Sequence, residues 1–135
     1  MKKIILILLF FLTSIVHADE LILNTVSTHF QHNSQENNIN LGAFYRFGIE
    51  DQYVIGAYDN SHRKLSIFAG ERFHLTNVDK IDVGVIAGAV TGYARPILPG
   101  ALLSLRYKVN ERVSIYLHVA PVDSGVASLA IGWNR

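Results

Sequence analysis

The chain has 135 residues, of which 50% are hydrophobic and 17% charged, and its formal net charge is +1. This length fits one domain, and the absence of cysteine excludes disulfide frameworks, thiolate metal sites and thiol nucleophiles. A charge near zero gives no electrostatic reason to expect nucleic acid as a partner. Soluble domains usually carry about 25% charged residues, so the low value indicates either a large core or a surface that does not face water.

The first predicted element is a secretory signal peptide at residues 1–18. Met1-Lys2-Lys3 forms a basic start, residues 4–16 are almost continuously apolar, and Val16-His17-Ala18 fits the small-x-small cleavage pattern. An apolar run of this length is too short to cross a membrane as a helix. We therefore expect an exported protein whose one mature domain is residues 19–135.

Eight short segments of alternating apolar and polar residues follow. Clusters of Asn, Asp, Gly and Pro separate them, and helical periodicity is absent. In the seventh segment, the apolar residues Val113, Ile115, Leu117 and Val119 alternate with Ser114, Tyr116 and His118. The predicted strands lie at about 21–32, 40–48, 52–60, 63–75, 80–92, 98–108, 112–120 and 124–134.

Two architectures fit this pattern: a soluble sandwich or barrel with its apolar face inward, and an outer-membrane barrel with that face outward. Segments of about 9–12 residues in even number favour the membrane barrel. Charged residues assigned to the other face can pair within a narrow lumen: Arg46, Glu71, Arg72 and Arg106. Aromatic residues near the strand ends suit two interfacial girdles: Phe30, Tyr53, Phe73, Tyr107 and Trp133. We predict an all-β fold, an eight-stranded antiparallel up-and-down transmembrane β-barrel.

The strand count also predicts which connections share an end. With both termini in the periplasm, the periplasmic connections are 48–52, 75–80 and 108–112. The external connections are then 33–39, 60–63, 93–98 and 121–124. Strands one and three both end at the external rim, so His29 and the pair Asn60-Ser61 are predicted to meet there.

His29, Asn60 and Ser61 are the candidate catalytic residues. Val26, Thr28 and Phe30 form the apolar face of their strand, which directs Ser27, His29 and Gln31 inward or toward the rim. A histidine, a hydroxyl and a short polar orienting group suit acyl transfer. The alternative is that Asp59, Asn60 and Ser61 form a turn and His29 is an ordinary rim residue, and residue types alone favour this alternative.

A series of motifs runs in order through nearly the whole mature chain. The motifs are Thr28-His29-Phe30, Asn38-Ile39-Asn40-Leu41-Gly42, Tyr58-Asp59-Asn60-Ser61 with Gly70 and Glu71, the segment 83–91 with Pro96-Ile97-Leu98-Pro99, and His118-Val119-Ala120-Pro121. Their order and spacing resemble the lipid A palmitoyltransferase family of Gram-negative outer membranes.

The resemblance implies an eight-stranded outer-membrane barrel that moves an acyl chain from a phospholipid donor to lipid A. No cofactor is implied, because transfer between esters has little thermochemical demand, and no residue spacing makes a convincing metal site. We expect the barrel to be a monomer. The family's catalytic His falls on His29 and its Asp-Ser pair on Asn60-Ser61, so Asn stands at the Asp position. Asp59 is the alternative orienting group.

Two further features carry a functional and an ordinary interpretation each. Pro96, Pro99 and Pro121 weaken strand pairing, which the resemblance suggests as a lateral gate for a lipid chain, although each also suits a loop. Gly84, Gly88 and Gly92 either leave space for an acyl chain or relieve crowding. The alternative functions are a non-enzymatic structural or ligand-binding barrel, and a lipid A deacylase or phospholipase.

Overall fold

The computed structural model describes residues 20–30, 38–48, 52–121 and 125–134. The predicted signal peptide and its cleavage site lie outside these ranges, as does Gln31. Eight strands are present in the described residues: β1 (Glu20–His29), β2 (Ile39–Phe47), β3 (Tyr53–Asp59), β4 (Leu65–Val78), β5 (Ile81–Val90), β6 (Leu98–Lys108), β7 (Val113–Ala120) and β8 (Val126–Asn134). They confirm the predicted number and order of strands.

The strands form one closed antiparallel barrel in which each pairs with its sequence neighbours and β1 also pairs with β8. Closure gives every strand a paired neighbour on each side, as a sheet in lipid requires. Glu20 and Asn134 pair with each other, and we call their end of the barrel the terminal end. The opposite end, where β1, β3, β5 and β7 finish, is the loop end. Among the described residues, no helix is long and apolar enough to span a membrane.

The outer surface of the barrel is apolar, as the alternation predicted. Ile115, Leu129 and Ile131 are each about half exposed there, whereas the inward positions hold polar, small and aromatic residues together with a few buried aliphatic ones. Five exposed aromatic residues lie on strand segments near the terminal end: Phe47, Tyr53, Phe73, Tyr107 and Trp133. Phe30 is exposed at the loop end, so the aromatic residues are concentrated at one end of the barrel.

Glu71 corrects one sequence prediction. We expected it in the lumen with Arg72, but adjacent residues of a strand point to opposite faces. Arg72 is buried inside, and Glu71 pairs across the sheet with the exposed, outward-facing Tyr53. The Glu71 carboxylate accepts a hydrogen bond from the side-chain amide of Gln52.

A β-bulge at Thr25 determines which residues of β1 face inward. The pairings of β1 with both β2 and β8 skip from Asn24 to Val26. Against β8, where the partners Ala130 and Leu129 are adjacent, Thr25 is one extra residue. Against β2, Thr25 stands opposite two residues, 40 and 41. Its Oγ1 donates a hydrogen bond to the Leu129 carbonyl at 3.0 Å. The bulge changes the inward set from even to odd positions, and His29 is therefore buried inside. The prediction that Val26, Thr28 and Phe30 face outward is confirmed.

The hairpin of β4 and β5 is longer than predicted. We expected its connection at 75–80, but the strands pair up to Val78 and Ile81 around the two-residue turn Asp79-Lys80. Asp79 has a φ of 53°, which Asp tolerates better than most residues. The extra length extends a polar wall at the terminal end.

Candidate functional site

A buried network of side chains centred on Glu20 lies in the terminal half of the lumen. Its Oε2 accepts a hydrogen bond from Arg46 Nη1 at 2.9 Å and another from the Tyr116 hydroxyl, and lies 3.4 Å from Arg106 Nη2. Arg46 Nη1 also donates to the Tyr116 oxygen at 2.6 Å. Arg106 Nε donates to Ser114 Oγ at 3.1 Å. One carboxylate therefore compensates two guanidinium groups, and the predicted pairing of lumen charges is confirmed for Arg46 and Arg106.

The loop half of the lumen holds an apolar cavity of about 160 Å³. Aliphatic and aromatic side chains form most of its wall: Ile22, Phe44, Val54, Tyr58, Phe68, Ile86, Tyr93, Leu102 and Val126. His118 and Ser128, which are paired across β7 and β8, add polar groups to the lining. The cavity has the composition of a site for a hydrocarbon group.

A second cavity of about 230 Å³ shares Tyr58, Phe68 and Tyr93 with the first and continues it sideways. Its lining includes Pro99 and Ala101, which are exposed on the outer surface of β6. In the described residues, β6 pairs with β7 only from Leu103 onward, so the first five residues of β6 have no partner on β7. The cavity thus connects the lumen with the outer surface between β6 and β7.

His29 and Ser61 meet at the loop end, as predicted. His29 Nε2 lies 3.1 Å from Ser61 Oγ, and its Nδ1 lies 3.4 Å from Asn38 Oδ1. His29 is buried, and Ser61 is half-buried and lines the apolar cavity. The arrangement gives a base, a hydroxyl and an amide oxygen behind the base, which is the order that nucleophile activation requires.

Asn60 forms hydrogen bonds at the turn from β3 to β4. Its Nδ2 donates to Ser66 Oγ at 3.0 Å and to the Gly92 carbonyl at 2.9 Å. Its Oδ1 accepts the backbone N–H groups of His62 at 2.9 Å and Lys64 at 3.0 Å. Both ends of the amide are therefore used to build the turn from β3 to β4, and the orienting role of Asn60 stays a prediction.

Asp59, the alternative orienting group, is exposed at the end of β3. It joins the rim through its backbone, since its carbonyl accepts a hydrogen bond from Asn40 Nδ2 at 2.8 Å. Asn40 is buried and also contacts Ser27 Oγ and, through its carbonyl, Asn24 Nδ2 at 2.9 Å. Asn40 therefore ties β1, β2 and β3 together directly below the His29–Ser61 pair.

Sequence reasoning missed the roles of Asn38 and of an aromatic group at the loop end. The Tyr58 and Tyr93 hydroxyls lie 3.1 Å apart, and the rings of His62 and Tyr93 meet edge to face at 5.9 Å. Both tyrosines line the two cavities. Asn38 precedes β2 across from His29, a proximity that only the pairing of β1 with β2 reveals.

The three glycines expected to share one role differ in the structure. A Cβ at Gly84 would lie 2.8 Å from Arg72 Cζ, so this glycine relieves crowding beside a guanidinium instead of lining an acyl site. Gly88 allows close approach to Ala69 and Gly70 on β4. Gly92 follows β5 with a φ of 88°, a conformation that favours glycine.

No group of three or more metal-ligating side chains occurs among the described residues. The candidate site therefore consists of oxygen, imidazole and amide groups beside an apolar cavity.

Comparison with known proteins gives similar folds and no sequence family. No family model matches the chain, and no curated protein matches it. The solution NMR structure of the de novo designed TMB2.3 covers 87% of this chain and 95% of its own, with a TM-score of 0.58 and 15% identity. A second structure, from the de novo design of transmembrane β-barrels, covers 87% of this chain and 97% of its own, with a TM-score of 0.57 and 12% identity. At this identity the likeness concerns the fold alone, which is that of transmembrane β-barrels.

Proposed function

We propose that this barrel is an acyltransferase of a Gram-negative outer membrane that moves an acyl chain from a phospholipid to lipid A. The contact between His29 Nε2 and Ser61 Oγ beside the apolar cavity is the observation that carries the proposal. The motif resemblance supports the choice of lipid A as acceptor. The loop end is then the external end, where lipid A lies.

The chemistry follows from the positions of the base and the hydroxyl. His29 Nε2 accepts a proton while a hydroxyl oxygen attacks the ester carbonyl carbon of the phospholipid. The carbon–oxygen bond to the glycerol breaks, and the proton returns to the departing alkoxide, so the imidazole ends neutral. The attacking hydroxyl belongs either to Ser61, giving an acyl-serine that lipid A then resolves, or to lipid A, with Ser61 relaying its proton.

Access for the donor chain is supported by the cavity between β6 and β7. A phospholipid held in the bilayer presents its acyl chains from the side and not along the barrel axis. Pro99 has no N–H to donate to a neighbouring strand, which helps to keep the upper part of β6 separate from β7. Tyr58 and Phe68 line both cavities, so one chain could pass from the outer surface to Ser61.

Mass spectrometry of lipid A from cells with and without the protein tests the proposal. The expected product is lipid A heavier by one acyl chain, and it should disappear with His29→Ala and Ser61→Ala. Thr76→Ala is the matched control, because it removes an exposed hydroxyl of β4 near the terminal end, far from the reactive pair. Correct insertion of each variant is checked by the faster mobility of a folded barrel in unheated gel samples.

Two other outcomes would contradict acyl transfer. Free fatty acid without heavier lipid A would mark a hydrolase acting through the same pair. An unchanged lipid pattern with the barrel inserted would rule out acyl transfer and leave the non-enzymatic barrel.

A further inference from the structure

The terminal end contains a polar cavity that the proposed acyl transfer does not use. It has a volume of about 560 Å³, and the exposed residues Asp79, Lys80 and Lys108 lie in its lining. The buried guanidinium groups of Arg46, Arg72 and Arg106 also line it. We call it the terminal vestibule. It lies at the opposite end of the barrel from His29.

Cations outnumber carboxylates in and beside the terminal vestibule. Five cationic side chains line it, against the carboxylates of Asp79 and Asp82 in the lining and Glu20 directly behind it. Glu20 is shared by two guanidinium groups, and Asp82 Oδ1 is shared by Arg72 Nη2 at 2.7 Å and His74 Nδ1 at 2.9 Å.

Arg72 is a buried cation of the vestibule lining. It is 8% exposed, and its Nε is a buried donor with no hydrogen-bond partner among the described residues. A buried donor without an acceptor is costly, and the cost is larger when the donor is charged. An oxyanion in the vestibule would supply that acceptor.

We propose that the terminal vestibule binds a phosphate-type oxyanion. A phosphate group presents several acceptor oxygens and more than one negative charge to the five cationic side chains of the lining, whereas a carboxylate presents two oxygens and one charge. Guanidinium groups bind such oxyanions through paired, charge-assisted hydrogen bonds, which suits the side chains of the lining. Lys80 and Lys108 at the mouth attract the anion from solution.

The same phosphate chemistry has two sources at this end of a membrane barrel. One is a soluble phosphate compound in the adjoining aqueous compartment, and the other is the phosphate group of a lipid at the bilayer surface. Both would use the same cations, so the experiment includes an arm for each.

Titration calorimetry of the refolded full-length barrel in an uncharged maltoside detergent tests the proposal. One arm uses inorganic phosphate against a chloride background, and the second uses short-chain phosphatidic acid. We expect saturable binding of one anion per barrel. Arg72→Gln should weaken it roughly tenfold or more, because it removes charged hydrogen bonds. Lys108→Gln should weaken it about threefold through its charge at the mouth.

Lys64→Gln is the matched control, since Lys64 is an exposed lysine at the loop end. It should bind phosphate as the wild type does. If Arg72→Gln does not fold, Lys108→Gln alone and with Lys80→Gln decides the question. Binding of only the lipid phosphate would assign the site to a headgroup. No saturable binding in either arm, or equal binding by all variants, would overturn the proposal.

Discussion

The two halves of the lumen are enclosed by the same strands but have opposite interiors. In the terminal half, the Glu20 carboxylate accepts hydrogen bonds from Arg46 and Tyr116 and forms an ion pair with Arg106, and the polar vestibule opens beside this network. In the loop half, apolar side chains leave a cavity, and short polar side chains gather at the rim. An eight-stranded barrel has an interior only wide enough for side chains, so the difference arises from which side chains each half contains.

The difference separates stability from chemistry. The charged half has partners for most of its polar groups and a polar cavity that does not suit an acyl chain, and its network ties distant strands together. The apolar half gives up packing contacts to keep a cavity, and the His29–Ser61 pair lies beside that cavity. Breaking one half should therefore change stability, and breaking the other should change activity.

Deleting Thr25 should have the largest effect because it removes the extra residue in β1. Without the bulge, Glu20 and His29 cannot both face inward, so either the charged network or the reactive pair is lost. We expect little folded barrel, measured as the fraction with folded mobility in unheated gel samples. Thr25→Ala keeps the residue count and loses one hydrogen bond, and should cost only about 1 kcal/mol. A deletion variant that folds with full activity would contradict the assigned role of the bulge.

Glu20→Gln tests the charged half directly. It leaves Arg46 and Arg106 buried without their carboxylate, so the free energy of unfolding should fall by about 3–5 kcal/mol. Urea unfolding in lipid vesicles measures this, with Glu111→Gln in an exposed turn as the control expected to change little. Equal stability of the two variants would show that the network contributes nothing.

Gly84→Ala against Gly100→Ala tests how tightly the terminal half is packed. A Cβ at Gly84 meets Arg72 Cζ at 2.8 Å and the Phe73 carbonyl at 2.9 Å, whereas a Cβ at Gly100 meets nothing within 4 Å. The first substitution should destabilise the barrel by about 1–3 kcal/mol, and the second should be close to neutral. The same unfolding assay compares them, and the reverse order would contradict the packing described for the two halves.

Asn60→Ala should have the smallest effect on stability of the four, about 1–2 kcal/mol, through loss of its turn hydrogen bonds. Asn110 is the matched residue at the terminal end, where its Oδ1 accepts the N–H groups of Arg112 at 2.9 Å and Val113 at 2.8 Å from an exposed position. Asn110→Ala should cost less. At a temperature where Asn60→Ala is folded, it should keep most of the proposed transfer activity. Loss as complete as that of Ser61→Ala would return Asn60 to the catalytic group.

Much of the barrel was predictable because its signal is local. Alternating residues and turn clusters predicted all eight strands and the inward direction of His29. One error ignored the strand period, and the other came from a turn position that the period does not contain. Glu71 was assigned to the same face as its neighbour Arg72, and the turn after β4 was placed too early.

The candidate site was predictable only in part for a similar reason. Strand direction brought His29 and Ser61 to one end, and the structure places their side chains in contact. The partners of Asn60, by contrast, come from the backbone of its own turn and from Gly92 after β5. Asn38 reaches His29 through pairing with a different strand. Which side chains become hydrogen-bond partners depends on distances of a few ångströms between strands.

The sequence alone determined the number of strands, their order, the apolar outer face and the end at which His29 and Ser61 lie, because these follow from local periodicity and antiparallel direction. Only the tertiary structure decided how the lumen divides into a charged half with a polar vestibule and a half with an apolar cavity. The reason is physical: closing the barrel brings side chains from all eight strands into one narrow space, where volume and hydrogen-bond partners are shared among residues far apart in the chain.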